Sequence, residues 1–358
     1  MQQLKPDWWA AQLLDWSATR GRKGLPWKTD NPNLAPYYAL VSEVMLQQTQ
    51  ASRVSEYFPR FIAAFPDLAS LARADLSRVL VYWSGLGYYR RAGYLHQSAG
   101  RLHERAEQGL GFPREPEVVA ALPGIGPSTA NAILAQAFNL PLPILDANAR
   151  RIITRLYGLR HSLASELWRL ADRLTQARPA RANAAAYCQA IMDFGSLVCG
   201  KKPQCEHCFA APVCKAGRSG AIQPSSASKQ RAKQPMPLRL ALVQSSQGLW
   251  LRPQQPGQLW PHTLMPPCAP GVRALLPQLE ATFGLNNLSY LGRTRATTLL
   301  SHRKVRVQAL AFRCNAVGVA EPGREGWYDT ESDSLPLSSL ARRLIEWRKE
   351  FPNNHHKG

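Results

Sequence analysis

The chain has 358 residues, 45% hydrophobic and 19% charged, which suffices for a buried core and, at roughly 150 residues per domain, predicts two domains rather than a disordered chain. No run approaches the roughly 20 apolar residues of a membrane span, and the first residues lack an apolar signal core, so a soluble intracellular protein is expected. Lys and Arg number 44 against 24 Asp and Glu, a formal charge of +20 and a pI near 10.1, a surplus that draws polyanions, nucleic acid foremost, and releases their counterions.

The spacing of Trp8, Trp9, Leu13, Leu14 and Trp16 predicts an amphipathic first helix. Residues 1–198 read as helical throughout. Segments 37–47, 52–64, 75–82 and 127–138 carry apolar residues three and four apart, with short Gly/Pro punctuation between them. Residues 199–214 hold a cysteine cluster. Residues 215–237 carry basic and small polar residues and no acid, the composition of a basic interdomain linker. Beyond it the period changes. Residues 238–243 and 249–251, and the alternation of Val305, Val307, Ala309 and Ala311, predict half-buried strands. Segments 275–283 and 338–347 read as helices. A small α+β domain over 238–350 is therefore expected.

Leu122–Pro–Gly–Ile–Gly–Pro–Ser–Thr129 lies between two helical segments. Gly124 and Gly126 permit a sharp turn and leave backbone bare for a ligand. Pro127 suits the first turn of the following helix. Such a turn aims N–H groups at one phosphate, as in a helix–hairpin–helix DNA clamp. An ordinary helix connector is the plainer reading.

Two carboxylates stand out. Asp146 precedes a helix and could simply cap it. It is also the only acid between Glu117 and Glu166, and an anion in a polyanion-binding region is costly unless it stabilises a cation such as an oxocarbenium-like sugar. Glu43 has Val41, Val44 and Met45 around it. An apolar setting would raise its pKa and let it serve as a general acid; an exposed or Arg-paired glutamate is the alternative.

Seven cysteines without a signal segment argue against a disulfide framework. Cys199, Cys205, Cys208 and Cys214 fall within sixteen residues. Four thiolates suit tetrahedral zinc or an iron–sulfur cubane, and spacing alone leaves both open.

Together these residues resemble the helix–hairpin–helix DNA glycosylases and, among them, the adenine DNA glycosylases of MutY type. The likeness is carried by Leu25–Pro–Trp27, Val41–Ser–Glu–Val–Met–Leu–Gln–Gln–Thr49, Gly85–Leu–Gly–Tyr–Tyr89, the hairpin, Ile144–Leu–Asp–Ala–Asn148, and Met192–Asp–Phe–Gly195 running into the cysteines. The resemblance implies a multidomain protein: an all-α helix–hairpin–helix glycosylase domain with an iron–sulfur cluster loop, and a C-terminal α+β Nudix-like domain. It implies hydrolysis of the N-glycosidic bond of adenine opposite 8-oxoguanine or guanine in duplex DNA, by a monomer. Glu43 would protonate the leaving base and Asp146 would stabilise the sugar cation, supported by Ser128 and Asn148. Trp27 and Gln189 would lie near the everted adenine. Gln48, Thr49 and Tyr88 would fill the gap around the opposing base. Cys199, Cys205, Cys208 and Cys214 would ligate a 4Fe–4S cluster, and Ser301 and His302 would belong to the loop that checks 8-oxoguanine.

Some positions depart from that pattern. The first cysteine gap is one residue short, Leu300 stands where an aromatic is usual, Lys28 replaces a frequent Arg, and residues 258–262 poorly copy a glycine-rich segment. No Nudix box is visible, which argues against pyrophosphate hydrolysis. The rival is an endonuclease III-type glycosylase/lyase acting on oxidised pyrimidines. That family has lysine at the position of Ser128, the amine a Schiff base requires.

Overall fold

The structure, a computed structural model, describes residues 4–159, 161–219, 234–255, 258–260, 263–299, 303–315, 325–330 and 335–349. Two compact units emerge: residues 1–73 with 94–227, and residues 74–93 with 228–358.

The first unit is helical. It holds α1 (Pro6–Arg20), α2 (Ala35–Leu46), α3 (Ala51–Ala64) and α4 (Leu68–Arg73). After α5 (Leu76–Trp83), which groups with the second unit, α6 (Arg90–Glu107) enters it, followed by α7 (Pro116–Ala120), α8 (Pro127–Phe138) and α9 (Ala147–Tyr157). It closes with α10 (Ala164–Thr175), α11 (Arg178–Ala182), α12 (Ala184–Leu197) and the short α13 (Lys215–Arg218). The expected amphipathic first helix is α1, and Trp9, Leu13 and Trp16 are its buried stripe. Trp9 and Trp16 pack edge-on against Phe194 of α12, with centroids 5.7 and 5.1 Å apart. Phe194 in turn lies 5.0 Å from Phe209 in the cysteine loop. Each such ring contributes about 1.5–3 kcal/mol by leaving water. Trp9 also donates from Nε1 to the Tyr187 hydroxyl at 3.1 Å, so its one polar atom is satisfied inside the core. This aromatic knot fixes α12, and with it the residues α12 presents to the cleft described below.

The second unit is built on a mixed sheet of β1 (Gln234–Ser245), β2 (Gly248–Pro253), β3 (Leu264–Met265), β4 (Cys268–Ala269), β5 (Leu288–Leu299), β6 (Arg303–Cys314) and β7 (Gly326–Tyr328), with α14 (Val272–Phe283) and α15 (Ser339–Arg348). The strand order is β3-β2-β1-β6-β5, with β4 beside β1 and β7 beside β2. β1 and β6 run parallel from Gln234↔Arg303 to Gln244↔Arg313. β5 and β6 are antiparallel, with a bulge between Tyr290 and Gly292. One face of the sheet packs Leu238, Leu240, Leu242, Val305, Val307, Ala309 and Ala311 with Leu340, Leu344 and Ile345 of α15. The opposite face packs Ala241 and Val243 with Leu275, Leu279 and Phe283 of α14. The alternate residues of β5 and β6 carry Arg293, Arg295, Lys304 and Arg306, all exposed. Residues 74–93 are tied into this unit at Leu337, whose carbonyl accepts from Ser84 Oγ at 2.6 Å and Tyr89 Oη at 3.1 Å.

Element ends differ from sequence expectation by a few residues. At residues 215–218 the chain forms α13 instead of starting a linker, and β1 begins at Gln234, four residues before the apolar alternation. The early start has a physical cause: Met236 extends the apolar alternation by one step opposite Val305, and Pro235 and Pro237, which lack an N–H, mask the strand signal. Residues 220–233 of the expected linker lie outside the described residues.

Candidate active site

A cleft of about 720 Å³ opens in the helical unit. It is bounded by the segment after α1, the end of α2, the turn into α3, the start of α8, the N-terminus of α9, and α12. Trp27, Glu43, Gln48, Thr49, Ser128, Asp146, Asn148 and Gln189 all line it. The two carboxylates singled out by sequence thus share one cavity, although 103 positions separate them in the chain.

Asp146 is half-buried at the N-cap of α9, where Oδ1 accepts the Ala149 N–H at 2.8 Å. Oδ2 accepts from Asn148 Nδ2 at 3.1 Å. The capping reading and the cleft reading therefore hold together: one oxygen closes the helix, and the same carboxylate faces the cavity. Asn148 is itself held, because its Oδ1 accepts from Arg151 Nη2 at 2.7 Å and Arg151 Nε donates to the Cys199 carbonyl at 2.6 Å. A Cβ on Gly195 of α12 would lie 2.5 Å from Asn148 Cβ, so α12 and α9 touch through a missing side chain. The Ser128 hydroxyl accepts the N–H of Leu145, the residue before Asp146, at 2.9 Å.

Glu43 sits on α2 among buried Val41, Val44 and Met45. Among the described residues it has no hydrogen-bond partner. Burial pushes its carboxyl up to about 7, Lys28 opposes the shift, and the charge of Asp146 adds to it. The surroundings of Glu43 thus favour its protonated form.

Gln48, in the turn after α2, has φ of 57°, in the left-handed region. Tyr88, in the second unit, has φ of 50° and is 44% exposed. The Arg91 guanidinium lies 5.4 Å from the centre of its ring. Such backbones cost about 1–3 kcal/mol and persist only where the surrounding structure holds them.

The hairpin between α7 and α8 takes the sharp turn expected. Gly124 has φ of +72°, and a Cβ there would meet the Tyr94 ring at 2.6 Å. Gly126 has φ of −96°, which any residue could adopt, and the space beside it is open. Its value is therefore the bare backbone it leaves at the start of α8. Gln47 Nε2 donates to the Gly124 carbonyl at 3.1 Å and ties the hairpin to the rim of the cleft.

Cys199, Cys205, Cys208 and Cys214 line a separate small cavity, with Arg155 and Val198 in its wall. Arg155 Nη1 donates to Cys199 Sγ at 3.4 Å, and Cys214 Sγ donates to the Arg155 carbonyl at 3.4 Å. Among the described residues no group of three His, Cys, Asp or Glu closes tightly enough to hold a metal ion. Ser301 and His302 lie outside the described residues.

Comparison with known proteins agrees with this geometry. Residues 41–176 match the model for the HhH-GPD superfamily base excision DNA repair protein. Residues 41–176 belong to the HhH-GPD superfamily. The chain is 38% identical over 202 residues to the adenine DNA glycosylase of Buchnera aphidicola subsp. Schizaphis graminum, covering 55% of this chain and 56% of that protein. It is 32% identical over 356 residues to the human adenine DNA glycosylase, covering 96% of this chain and 62% of that one. The chain thus spans little more than half the length of several curated relatives it matches. A thermostable thymine-DNA glycosylase superposes with a TM-score of 0.52 at 24% identity, over 60% of this chain and 97% of that one. An endonuclease III in a DNA complex gives 0.50 at 20%, over 62% and 100%. At these identities the two structures speak to the fold.

The helical unit also brings to the cleft residues that the sequence did not single out. Arg22, Leu46, Gln47 and Ser196 line it. Asp193, fully buried, lies behind it and accepts from Arg22 and Gln189. A signal was present for Asp193: it is the one acid on α12, four residues after Gln189 and hence on the same face.

Proposed function

We propose that this chain hydrolyses the N-glycosidic bond of adenine opposite 8-oxoguanine or guanine in duplex DNA, leaving an abasic site. The observation that carries the reading is the pair of unlike carboxyls on one cleft: Glu43, unpartnered and shifted to about 7, and Asp146, with both oxygens already accepting hydrogen bonds. As the C1′–N9 bond breaks, its electron pair leaves with the base and Glu43 supplies the proton that neutralises it. The positive charge left on the sugar is stabilised by Asp146, directly or through a transient covalent bond, and water then adds at C1′, its released proton restoring the acid form of Glu43. The base must first leave the helical stack, at a cost of roughly a few kcal/mol. Trp27 and Gln189 receive it, and Gln48, Thr49 and Tyr88 occupy the gap. Backbone N–H groups around Gly124 and Gly126 hold phosphate without reading sequence. The exposed Arg293, Arg295, Lys304 and Arg306 add sequence-independent attraction.

The four cysteines suit a 4Fe–4S cluster. They surround one cavity with Arg155 in its wall, and four thiolates are the ligand set of such a cluster. A bound cluster would supply iron–thiolate bonds that staple the loop. Arg155, Arg151 and the loop carbonyls hold that loop against α9. Equal iron and acid-labile sulfide in the purified protein, lost in Cys199→Ser, checks this assignment.

We keep the roles of catalytic domain, cluster loop, linker and Nudix-like domain for the expected segments 1–198, 199–214, 215–237 and 238–350, with the linker shortened at both ends by α13 and β1 and residues 74–93 grouped with the C-terminal unit. The parallel β1–β6 pair, with a helix on each face, supports the last. Ser301 and His302 are assigned to lesion recognition. Ser128, whose hydroxyl is used by Leu145, supports hydrolysis over lyase chemistry. The test is single-turnover adenine release from duplexes with adenine opposite 8-oxoguanine or opposite thymine. Rapid release from the first only is expected. No release from either, or efficient borohydride trapping of the chain on DNA, overturns the reading.

A further inference from the structure

The hydrolysis above leaves one buried carboxylate unused. Asp193 on α12 is fully buried. Its Oδ2 accepts the Arg22 backbone N–H at 2.9 Å, and its Oδ1 accepts Arg22 Nη1 at 3.2 Å. Arg22 Nη2 continues to Ser196 Oγ at 2.7 Å, so the guanidinium is held from two sides. The remaining contact is to the cleft: Gln189 Nε2 donates to Asp193 Oδ1 at 2.9 Å.

A free glutamine amide is chemically two-faced. Rotated by half a turn, it exchanges an acceptor for a donor and pairs equally well with the complementary edge of a base. A carboxylate beside an arginine removes that freedom. It accepts only, so it keeps the nitrogen of Gln189 and turns away the oxygen. No donor among the described residues reaches Oε1, and Gln189 lines the cleft.

We propose that Asp193, anchored by Arg22, is a positioning residue that fixes the Gln189 carbonyl oxygen as the acceptor offered to the everted base, so that the cleft selects a 6-aminopurine over a 6-oxopurine. The inference rests on the reading that adenine enters this cleft. A 6-amino group donates to that oxygen. A 6-oxo group meets it acceptor to acceptor, and a locked amide cannot turn to accommodate it. Sites that hydrogen-bond a particular group reject the mismatched analogue strongly because buried polar atoms are left unpaired.

The experiment measures single-turnover release of adenine and of hypoxanthine from otherwise identical duplexes opposite 8-oxoguanine, and reads the ratio of the two rates. Asp193→Asn offers Gln189 a donor as well as an acceptor, which frees the amide to turn. The adenine-to-hypoxanthine ratio should fall by about tenfold or more. Gln189→Met should show a similarly reduced ratio, and adding Asp193→Asn to it should change the ratio no further. A merely structural Asp193 would lower both rates together and leave the ratio at the parent value, which overturns the proposal. If Asp193→Asn does not fold by circular dichroism, Arg22→Met replaces it, with an intermediate fall expected and an unchanged ratio again decisive against it. A parent chain that releases no adenine sinks the glycosylase reading itself; an active parent with an invariant ratio sinks only the role of Asp193.

Discussion

The cleft of the helical unit and the exposed residues of β5 and β6 in the C-terminal sheet handle charge in opposite ways. In the cleft, Asp146 is held by Ala149 and Asn148, and Arg22 is held by Asp193 and Ser196. On the sheet, Arg293, Arg295, Lys304 and Arg306 stand exposed, with no carboxylate paired to them among the described residues. Tied groups cannot reorganise, so they can meet a developing charge at a fixed place. Untied cations can follow a phosphate backbone without demanding a sequence. The contrast separates groups suited to chemistry from groups suited to capture, and substitutions should divide the same way.

The sharpest division is expected at Asp146. Asp146→Asn keeps an acceptor for the helix cap but removes the charge, so adenine release should fall about a thousandfold while gel-shift affinity for duplex DNA stays near the parent value. Parent-like turnover would break the comparison at its centre. Glu43→Gln should follow, with a loss of roughly a hundredfold or more. The parent pH profile tests the same group more finely. The pKa of Glu43 is raised to about 7, so its protonated form persists below that value and is depleted as pH rises through it. The single-turnover rate should be level on the acid side and decline on the alkaline side. The decline should vanish in Glu43→Gln, and an alkaline limb that survives the substitution would assign it to another group.

Gly124→Ala lies between the two classes. It places a side chain at φ of +72° and against Tyr94, at a cost of about 1–3 kcal/mol. A lower melting temperature and weaker DNA binding are expected, with the saturated rate retained. The smallest effect belongs to the sheet. Replacing Arg295 and Arg306 by Ala should reduce the slope of log affinity against log salt by about 0.9 for each phosphate no longer neutralised, with adenine release at saturating protein unchanged. A large loss of rate instead would place these arginines with the chemistry.

Much of this arrangement was legible because it is local. The hairpin, the helix following Asp146 and the alternation of Val305 to Ala311 are short patterns whose period or turn chemistry reports the backbone directly. The pairing of Glu43 with Asp146 was legible only through resemblance, since burial from distant helices sets the proton affinity of Glu43. Asp193 went unassigned for a related reason. Its i,i+4 relation to Gln189 is visible in the chain, but Arg22, which makes a buried carboxylate tolerable, comes from 171 positions away. The N-terminus of β1 is hard to read because Pro235 and Pro237 flank Met236 and speak against a strand, although the segment pairs with β6.

The contact between Gly195 and Asn148 sets a mechanical tolerance. Two helices brought to bare-backbone distance behave as a stop, and the groups mounted on them inherit its exactness. Even a single methyl at position 195 would work as a shim, levering apart the two walls that carry Gln189 and Asp146 and spoiling their alignment without altering either one.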